Sequence, residues 1–531
     1  MAMQYTGQIE QLDACRFRLP RRGDMRADGI VYADETLFKD LRHDAALAQV
    51  ANVACLPGIV GPSLAMPDCH YGYGFPIGGV AAFDVEEGIV SPGGVGYDIN
   101  CGVRLLRSDL TAAEVRPRLD RLASAINAAI PSGAGEKGPL RLSGAHLAEV
   151  LVQGPAWVVQ QGYGVAEDLE HTEDRGRLPA ADPDALSKRA TERGAPQLAT
   201  LGGGNHFLEI QAVDDVYDER LARAFGVAEV GQVTVMIHCG SRGLGHQVCE
   251  DALDVMTAAA RRYGIGLPDK QLACAPVGSP EGQHYLAGMA AAANYAWANR
   301  QAIMHYVREA FEQVLGRGWQ KLGLDLVWDV AHNIAKLEEH RVGGVSRRLC
   351  VHRKGATRAF PAGRPELPAV FRETGQPVLV PGDMGSASYL LVGTPEALEQ
   401  TWGSTCHGAG RVLSRSAAIR KHPSGQVRRE LEAQGIVVRA SGRDTLAEEA
   451  PDAYKDVISR MTPRNLVVVA VPDHFHDPVI RFALEHDQHV LTVKPLVLKY
   501  EQAVAIEKAA HERGLFVGVE YHKRFDRRSL E

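Results

Sequence analysis

A glycine-rich segment near residue 100 carries a carboxylate and a thiol three positions apart. Residues 91–104 read Ser-Pro-Gly-Gly-Val-Gly-Tyr-Asp-Ile-Asn-Cys-Gly-Val-Arg, and Asp98 and Cys101 are the candidate ligands among them. Glycine allows tight turns and lets the backbone approach an ion or a phosphate closely. The segment therefore predicts a turn-like metal site.

Three histidines farther along the chain have similar neighbours. His206 follows Gly-Gly-Gly-Asn, His238 precedes Cys-Gly-Ser-Arg, and His332 lies within Asp-Val-Ala-His-Asn. A single histidine is more often a hydrogen-bonded structural residue than a metal ligand. Together with Asp98 and Cys101, however, these histidines form a mixed donor set that suits a borderline transition metal better than magnesium or calcium.

Strands and helices alternate along the chain without a clean period. Residues 78–83 and 232–237 predict strands, and residues 285–316, rich in Ala, Met, Glu and Arg, predict helices. This pattern alone indicates only a mixed α and β protein.

Four longer blocks carry a family resemblance: residues 66–79, 240–246, 381–385 and 406–411. With these blocks the chain resembles the RtcB family, the GTP-dependent RNA ligases that join a 3′-phosphate or 2′,3′-cyclic phosphate end to a 5′-hydroxyl end. The resemblance extends from near Met25 to about Asp456. It implies an α+β fold with one large catalytic domain over residues 1–457, and a function in tRNA splicing or RNA repair.

The resemblance also implies how the metal ligands are divided. One Mn²⁺ is expected on Asp98, Cys101 and His206, and a second on Cys101, His238 and His332. A thiolate suits the shared position because it can serve two cations, which also keep it deprotonated. Zinc and cobalt fit these ligand types as well, so the sequence leaves the identity of the metal open.

The block at residues 406–411 contains the candidate nucleophile, His407. Gly408 and Gly410 leave backbone N–H groups free to face a phosphate, and a neutral imidazole can attack the α-phosphorus of GTP and expel pyrophosphate. The resemblance implies that His407 becomes a histidine–GMP phosphoramidate. The residues it implies as GTP contacts are Asn205, His206, Glu209, His332, Asn333, Pro381, Gly382, Asp383, Met384, Ser388, His407, Gly408, Ala409 and Gly410.

Four polar residues in or near these blocks receive narrower interpretations. Glu209 can accept hydrogen bonds from the guanine edge, which would favour GTP over ATP because adenine lacks those donors. Asp383 stands where some relatives carry serine. Asp68 and His70 are interpreted either as residues that support the ligands or contact the RNA end, or as structural turn residues.

Composition agrees with a cytoplasmic enzyme. The chain has 531 residues, 45% of them hydrophobic, and no apolar run of membrane-spanning length. Its nine cysteines lack regular spacing, which favours a reducing compartment over a disulfide framework. The resemblance implies three kinds of partner, namely RNA with the ends named above (tRNA halves or broken RNA), GTP and an archease-type activator protein, and no membrane.

The net charge of −7 does not by itself favour RNA binding, so RNA contacts are expected from local basic surfaces. Two basic clusters are candidates. The first is Arg341, Arg347, Arg348, His352, Arg353, Lys354 and Arg358, and the second is Arg411, Arg415, Arg420 and Lys421. Charge clusters of this size are usually solvated surface, but both of these lie close to the motif blocks.

The chain departs from the family after Asp456. The family usually ends in a segment whose lysine contacts the guanine nucleotide, and that ending is missing here. Residues 458–531 instead predict a short β-α-β-α-β tail, half of a doubly wound, Rossmann-like sheet. The tail resembles the middle of a Gfo/Idh/MocA-type oxidoreductase domain, but it lacks the glycine loop that would open such a domain, so dehydrogenase activity is not expected.

Two other functions stay open. A metal-dependent hydrolase that opens cyclic phosphates would keep the metal ligands but would not need His407. An inactive or binding-only remnant is suggested by the altered C-terminal ending. Covalent labelling by GTP separates these functions, because only the ligase forms a guanylylated histidine.

Overall fold

The computed structural model describes residues 4–440, 442–455, 466–469, 473–485, 488–493, 495–513, 515 and 517–520. Two compact units divide the chain, Met1–Ser459 and Arg460–Glu531. The predicted boundary between residues 457 and 458 lies outside the described residues. The first unit mixes helices and strands, as the sequence predicts.

The first unit contains the following strands: β1 Glu10–Asp13, β2 Arg16–Leu19, β3 Gly29–Tyr32, β4 Ile59–His70, β5 Ile77–Asp84, β6 Ile89–Val90, β7 Gly102–Leu106, β8 Phe207–Ala212, β9 Val233–Cys239, β10 Ala275–Pro276, β11 Leu326–Ala331, β12 Asn333–Val342, β13 Val345–Lys354, β14 Ala356–Arg358, β15 Pro377–Val380, β16 Tyr389–Val392 and β17 Ser404–Cys406.

Its helices are α1 Glu35–Leu41, α2 Ala46–Val53, α3 Ala112–Val115, α4 Leu119–Ala129, α5 Gly144–Gln153, α6 Pro155–Gln160, α7 Glu167–Glu170, α8 Lys188–Gly194, α9 Glu219–Phe225, α10 Arg242–Arg262, α11 Pro280–Leu315, α12 Pro395–Thr401, α13 Arg415–Lys421, α14 Ser424–Ala433 and α15 Arg443–Glu448.

Two larger sheets organise the first unit. One has seven strands in the order β1-β2-β3-β4-β5-β13-β12, and the other has four in the order β11-β7-β9-β8. Three two-stranded ladders, β10-β6, β14-β17 and β15-β16, connect the remaining segments. The four-stranded sheet is antiparallel throughout, which matters for the site described below.

The long helix α11 runs through the core of the first unit. Ser279 caps its start by accepting a hydrogen bond from the Gly282 N–H, and Pro280 occupies the first turn. Gly316 ends the helix in the left-handed region, with a φ of 69°. The helix spans 36 residues and is buried along most of its length. It starts five residues before the predicted helical segment, which begins at residue 285.

The cysteines form no disulfide bonds. All nine cysteines are free, and seven of them are buried. Among the described residues, no helix combines the length and the apolar character needed to span a bilayer.

The second unit contains a small parallel sheet. Its strands are β18 Leu466–Val469, β19 His489–Val493 and β20 Val517–Glu520, paired in that order, and its helices are α16 His476–Glu485 and α17 Tyr500–Glu512. Buried Ile480, Leu484, Val490 and Ile506 pack between helices and sheet. The order of elements is the predicted β-α-β-α-β, whereas the likeness to half of a dinucleotide-binding domain stays a prediction.

Candidate metal centre and nucleophile

The five predicted metal ligands converge at one edge of the four-stranded sheet. Antiparallel pairing places the start of one strand beside the end of its neighbour. Cys101 and His206 directly precede β7 and β8, whereas His238 lies near the end of β9 and His332 directly follows β11. Asp98 lies in the turn before Cys101. The sheet therefore gathers ligands that are far apart in the sequence.

The donor atoms form two overlapping groups. Asp98 Oδ2 lies 2.7 Å from His206 Nε2, and Cys101 Sγ lies 3.4 Å from the same nitrogen. Cys101 Sγ also lies 3.3 Å from His238 Nε2, which is 3.1 Å from His332 Nε2. Within each group, all donor atoms lie within 4.8 Å of one another. Cys101 belongs to both groups, which is the place that a bridging ligand would take.

Burial and neighbouring groups shift the pKa values throughout this cluster. Burial raises the pKa of the Cys101 thiol to about 11, and the Asp98 carboxylate adds to the shift. Burial also opposes ionisation of Asp98, but His206 outweighs it and lowers the pKa of Asp98 to about 2. Burial, and then the neighbouring imidazoles, hold the pKa values of His238 and His332 well below the usual range.

Two neutral imidazoles therefore face each other beside a thiol. The nitrogens His238 Nε2 and His332 Nε2 can share only one proton across their 3.1 Å separation, while Cys101 Sγ approaches the first of them. Lone pairs from nitrogen, sulfur and oxygen thus converge on two small spaces. This donor set fits transition-metal ions, because such ions accept several lone pairs at once.

The turn that carries Asp98 and Cys101 is fixed by backbone hydrogen bonds. Asn100 adopts the left-handed region with a φ of 51°, which asparagine tolerates better than most residues. The Asn100 N–H donates to the carbonyl of Asn333 at 2.7 Å, and the Cys101 N–H donates to the carbonyl of Asp98 at 3.0 Å. The Asn333 amide returns a hydrogen bond to the same Asp98 carbonyl at 3.1 Å. Asn333 therefore holds the ligand turn.

Arg300 supports the centre from inside α11. Its guanidinium donates to the carbonyl groups of Asn100 and Cys239, both at 2.8 Å, and these residues precede and follow the ligands Cys101 and His238. A buried ion pair with Asp329 at 2.7 Å keeps the guanidinium in place. Sequence reasoning missed Arg300, because a polar residue within a long helix gives no sign of the side it faces.

His407 lies next to the metal ligands. It directly follows β17, and its ring centroid is 4.9 Å from that of His332. His407 Nδ1 lies 2.5 Å from Asp68 Oδ2, and the backbone N–H of His407 donates to the same oxygen at 3.1 Å. Asp68 is fully buried in β4. The carboxylate therefore fixes both the orientation of the imidazole and the position of its proton.

The neighbouring glycines are required by close packing. A Cβ atom at Gly410, whose φ is 71°, would lie 2.4 Å from the Asp68 carbonyl oxygen. A Cβ atom at Gly355 would lie 3.0 Å from His407 Cε1. Asp68 contacts the candidate nucleophile, and both interpretations of this residue stay predictions. His70 contacts the Asp68 carbonyl through Nδ1 at 2.9 Å.

The predicted nucleotide contacts Glu209, Ser388 and Gly382 are linked by hydrogen bonds. Gln211 Nε2 donates to Glu209 Oε2 at 2.8 Å and to Ser388 Oγ at 3.2 Å, and the Gly382 N–H donates to the same hydroxyl at 3.2 Å. Burial raises the pKa of Glu209 to about 7, and nearby Asp383 contributes to the shift. A half-buried carboxyl group therefore lies beside this loop, with no cationic partner among the residues that the structure describes.

The remaining predicted nucleotide contacts lie around the same loop. Asp383 Oδ1 accepts a hydrogen bond from the Gly385 N–H at 2.7 Å, within its own turn. A Cβ atom on Gly408 would lie 3.1 Å from the Pro381 carbonyl oxygen, so this loop touches the His407 segment. Asn205 Oδ1 accepts from Arg415 at 3.3 Å. Met384 packs against the α14–α15 hydrophobic cluster, and Ala409 is buried.

The prediction that the first basic cluster lies on the surface is wrong for four of its residues. His352, Arg353, Lys354 and Arg358 are all buried. Arg353 pairs with Glu338 at 2.6 Å, and Lys354 donates to three backbone carbonyl groups. The physical reason is that β13 lies between two neighbouring strands and is buried over residues 349–354, so His352, Arg353 and Lys354 become internal. Arg358 lies in β14 and pairs with buried Glu173 at 3.1 Å.

The second basic cluster lies nearer the surface but is largely paired. Arg411 contacts Glu449 at 2.9 Å, Arg415 contacts Glu448 at 2.9 Å, and Lys421 contacts an aspartate at 2.8 Å. RNA contact by this cluster stays a prediction.

Comparisons with known proteins assign the chain to a family. The family model described as tRNA-splicing ligase RtcB matches residues 49–471. The tRNA-splicing ligase RtcB of Archaeoglobus fulgidus is 56% identical over 473 residues, which cover 88% of this chain and 98% of that protein. The corresponding ligase of Thermococcus kodakarensis is 55% identical over 450 residues, covering 85% of this chain and 93% of that protein.

These matches define the chain as an enzyme of the RNA ligase class. Within that class, it belongs to the tRNA-splicing ligase RtcB family.

The oxidoreductase resemblance of the tail finds no comparable support. A crystal structure of an oxidoreductase from Pseudomonas syringae is 21% identical, with a TM-score of 0.11, and the match covers 28% of this chain and 37% of that chain. A likeness of this size does not assign a fold to residues 458–531.

Proposed function

We propose that this enzyme joins RNA ends carrying a 2′,3′-cyclic phosphate or a 3′-phosphate to 5′-hydroxyl ends, using GTP and two Mn²⁺ ions. The observation that carries the proposal is the contact of His407 Nδ1 with the buried Asp68 carboxylate at 2.5 Å, beside the cluster of five ligands. A hydrolase with the same ligands would not need a histidine as the nucleophile.

Asp68 sets the tautomer of His407. With its proton on Nδ1 and donated to the carboxylate, the imidazole presents the lone pair of Nε2. Nε2 attacks the α-phosphorus of GTP, the new N–P bond forms, and the bond to the pyrophosphate oxygen breaks. The ring gains positive charge as the bond forms, and Asp68 offsets this charge.

The two ligand groups fit two cations that share the Cys101 thiolate. Asp98, Cys101 and His206 would hold one ion, and Cys101, His238 and His332 would hold the other. When bound, such ions neutralise phosphate charge and orient the leaving group. The family resemblance favours manganese, and the mixed donor set also accepts zinc or cobalt.

Glu209 gives the proposed nucleotide site its preference for guanine. Its buried carboxylate can accept hydrogen bonds from the guanine N–H groups, which adenine lacks. The loop of Pro381, Gly382 and Ser388 lies beside both Glu209 and the His407 segment. We place the base near Glu209 and the phosphates near His407.

The physiological setting follows from the same resemblance. The substrates would be tRNA halves or broken RNA in the cytoplasm, and an archease-type protein would act as activator. The names of the relatives, tRNA-splicing ligases, support tRNA halves as the substrates.

Incubation with Mn²⁺ and GTP labelled at the α-phosphate tests the proposal. The native chain should form a covalent adduct that is labile to acid and stable to base, and His407→Ala should form none while keeping its metal, because His407 is not one of the five ligands. His422→Ala serves as the control for removal of another histidine. Opening of cyclic phosphates without any adduct would instead identify a hydrolase, and the absence of both activities would identify a binding-only remnant.

A further inference from the structure

Three aromatic rings flank the metal centre on the Asp98 side. Tyr97 directly precedes Asp98, and its ring stacks on that of His246, with a centroid distance of 4.8 Å and an interplanar angle of 29°. The ring of Tyr73 meets Tyr97 edge-on at 5.5 Å. None of these three residues belongs to the ligand set or to the nucleotide contacts described above.

Two of these rings come from segments that contain or contact Asp98. Ser241 Oγ donates to Asp98 Oδ1 at 3.2 Å, and α10 begins at the next residue, Arg242. His246 lies five residues after Ser241 in α10, and its ring reaches Tyr97, the residue next to Asp98. Tyr97 reaches the same place from the ligand turn.

The rings are partly open to solvent. The side chain of His246 is 45% exposed, and Tyr73 and Tyr97 are each partly exposed. Aromatic side chains more often bury their faces, because their apolar area is large. Exposed rings beside a site for phosphate chemistry are the arrangement that single-stranded nucleic acid uses, since every base has a π-face that stacks on an aromatic ring.

A buried cation fixes the loops that carry the tyrosines. Lys354 Nζ donates to the backbone carbonyl of Tyr73, and to those of Phe75 and Gly93 at 3.1 Å each. The first two carbonyls belong to the loop of Tyr73, and the third belongs to the segment that leads to Tyr97. The backbone of both loops is therefore held by internal hydrogen bonds, which reduces the ordering that binding a base would require.

We propose that Tyr97 and His246 form a stacking ledge for the nucleobase of the RNA nucleotide whose terminal oxygen reaches the metal centre. This inference rests on the proposed RNA-ligase function and names the part of the substrate that the ledge binds. Stacking discriminates little among bases, which suits an enzyme that accepts ends of differing sequence.

The test compares ring removal in the protein with base removal in the RNA. The variants are Tyr97→Leu, Tyr97→Phe and His246→Leu, and the control is Tyr263→Leu, a partly exposed tyrosine about 25 Å from His246 at the far end of α10. Each is assayed for ligation with intact RNA ends, with an abasic 3′-terminal nucleotide and with an abasic 5′-terminal nucleotide.

Tyr97→Leu should raise the RNA KM about tenfold with intact ends, whereas Tyr97→Phe and Tyr263→Leu should leave it unchanged. An abasic nucleotide at the end that stacks should raise the native KM by a similar factor. Tyr97→Leu should then add nothing further on that substrate. The end that shows this non-additivity is the end that the ledge holds.

Labelling of His407 by GTP, measured in the absence of RNA, distinguishes failure of the proposed ligase function from failure of the stacking ledge. If the native chain forms no adduct, the proposed function fails. If the adduct forms but Tyr97→Leu raises KM equally on intact and on both abasic substrates, or does not raise it at all, the ledge is refuted. His246→Leu provides an independent variant in which the same pattern is expected.

Discussion

Replacing Asp68 with asparagine removes the charge that faces His407 while nearly preserving the shape of the side chain. In the native chain one carboxylate oxygen accepts from Nδ1 at 2.5 Å and from the backbone N–H of His407 at 3.1 Å. The asparagine oxygen can accept both hydrogen bonds, but without negative charge. The substitution therefore tests the electrostatic contribution of Asp68 separately from its geometric one.

The size of the effect follows from the charge that develops on the ring. A hydrogen bond to a charged group contributes about 1.5–3 kcal/mol, and each 1.36 kcal/mol in barrier height is about tenfold in rate. Asp68→Asn should thus lower the guanylylation rate about 10- to 150-fold. Two unit charges about 4 Å apart in an environment of effective dielectric about 20 interact by about 4 kcal/mol, which sets a ceiling near a thousandfold.

The assay is single-turnover labelling at saturating GTP, with metal content and melting temperature measured on the same samples. Asp84→Asn is the matched control, because Asp84 accepts a hydrogen bond from Arg347 at 2.7 Å and makes no contact with His407. A labelling rate for Asp68→Asn within twofold of the native rate, in a folded protein with unchanged metal, would show that the carboxylate does not stabilise the reacting imidazole.

Two further predictions concern the metal and the nucleotide. Cys101→Ala removes a ligand from both groups, so elemental analysis should show bound metal falling from two equivalents toward none. The control Cys274→Ala, which removes another buried cysteine, should keep two equivalents. Two equivalents of metal in both variants would contradict the bridging role of Cys101. Because the pKa of Glu209 is raised to about 7 by burial, its accepting carboxylate is lost as the pH falls through 7, so GTP affinity should weaken below that pH. GTP affinity is measured by calorimetry as a function of pH in two proteins, His407→Ala and the double variant His407→Ala/Glu209→Gln. The affinity should fall below pH 7 in the first and stay constant in the second. The same pH dependence in both proteins would exclude Glu209 as the guanine acceptor.

The metal ligands could be predicted because each lies in a distinctive local sequence. Asp98 and Cys101 share one glycine-rich turn, and His206 follows three glycines. Their convergence depends on the strand order β11-β7-β9-β8, which local patterns do not encode. The family resemblance supplied the grouping that periodicity could not.

Contacts between distant segments were harder to predict. Asp68 and His407 are separated by 339 positions, and neither segment indicates the other. Arg300 lies within α11, and this helix is buried on most of its sides. The amphipathic pattern of the helix is therefore weak. The misassigned residues His352, Arg353 and Lys354 show the same limit, since charge in a sequence does not reveal whether a strand lies at the edge or inside a sheet.

The distance between nucleophile and metal ligands is set by the backbone. The Ala356 N–H donates to the carbonyl of His332 at 3.1 Å, and Ala356 pairs with Cys406, the residue before His407. Asn333 adds a second link, because its amide oxygen accepts from the Gly355 N–H at 2.8 Å. In-line attack on a bound phosphate requires such fixed spacing. Substitution of a ligand side chain should therefore remove metal without displacing His407, whereas His407→Ala should abolish labelling and keep the metal.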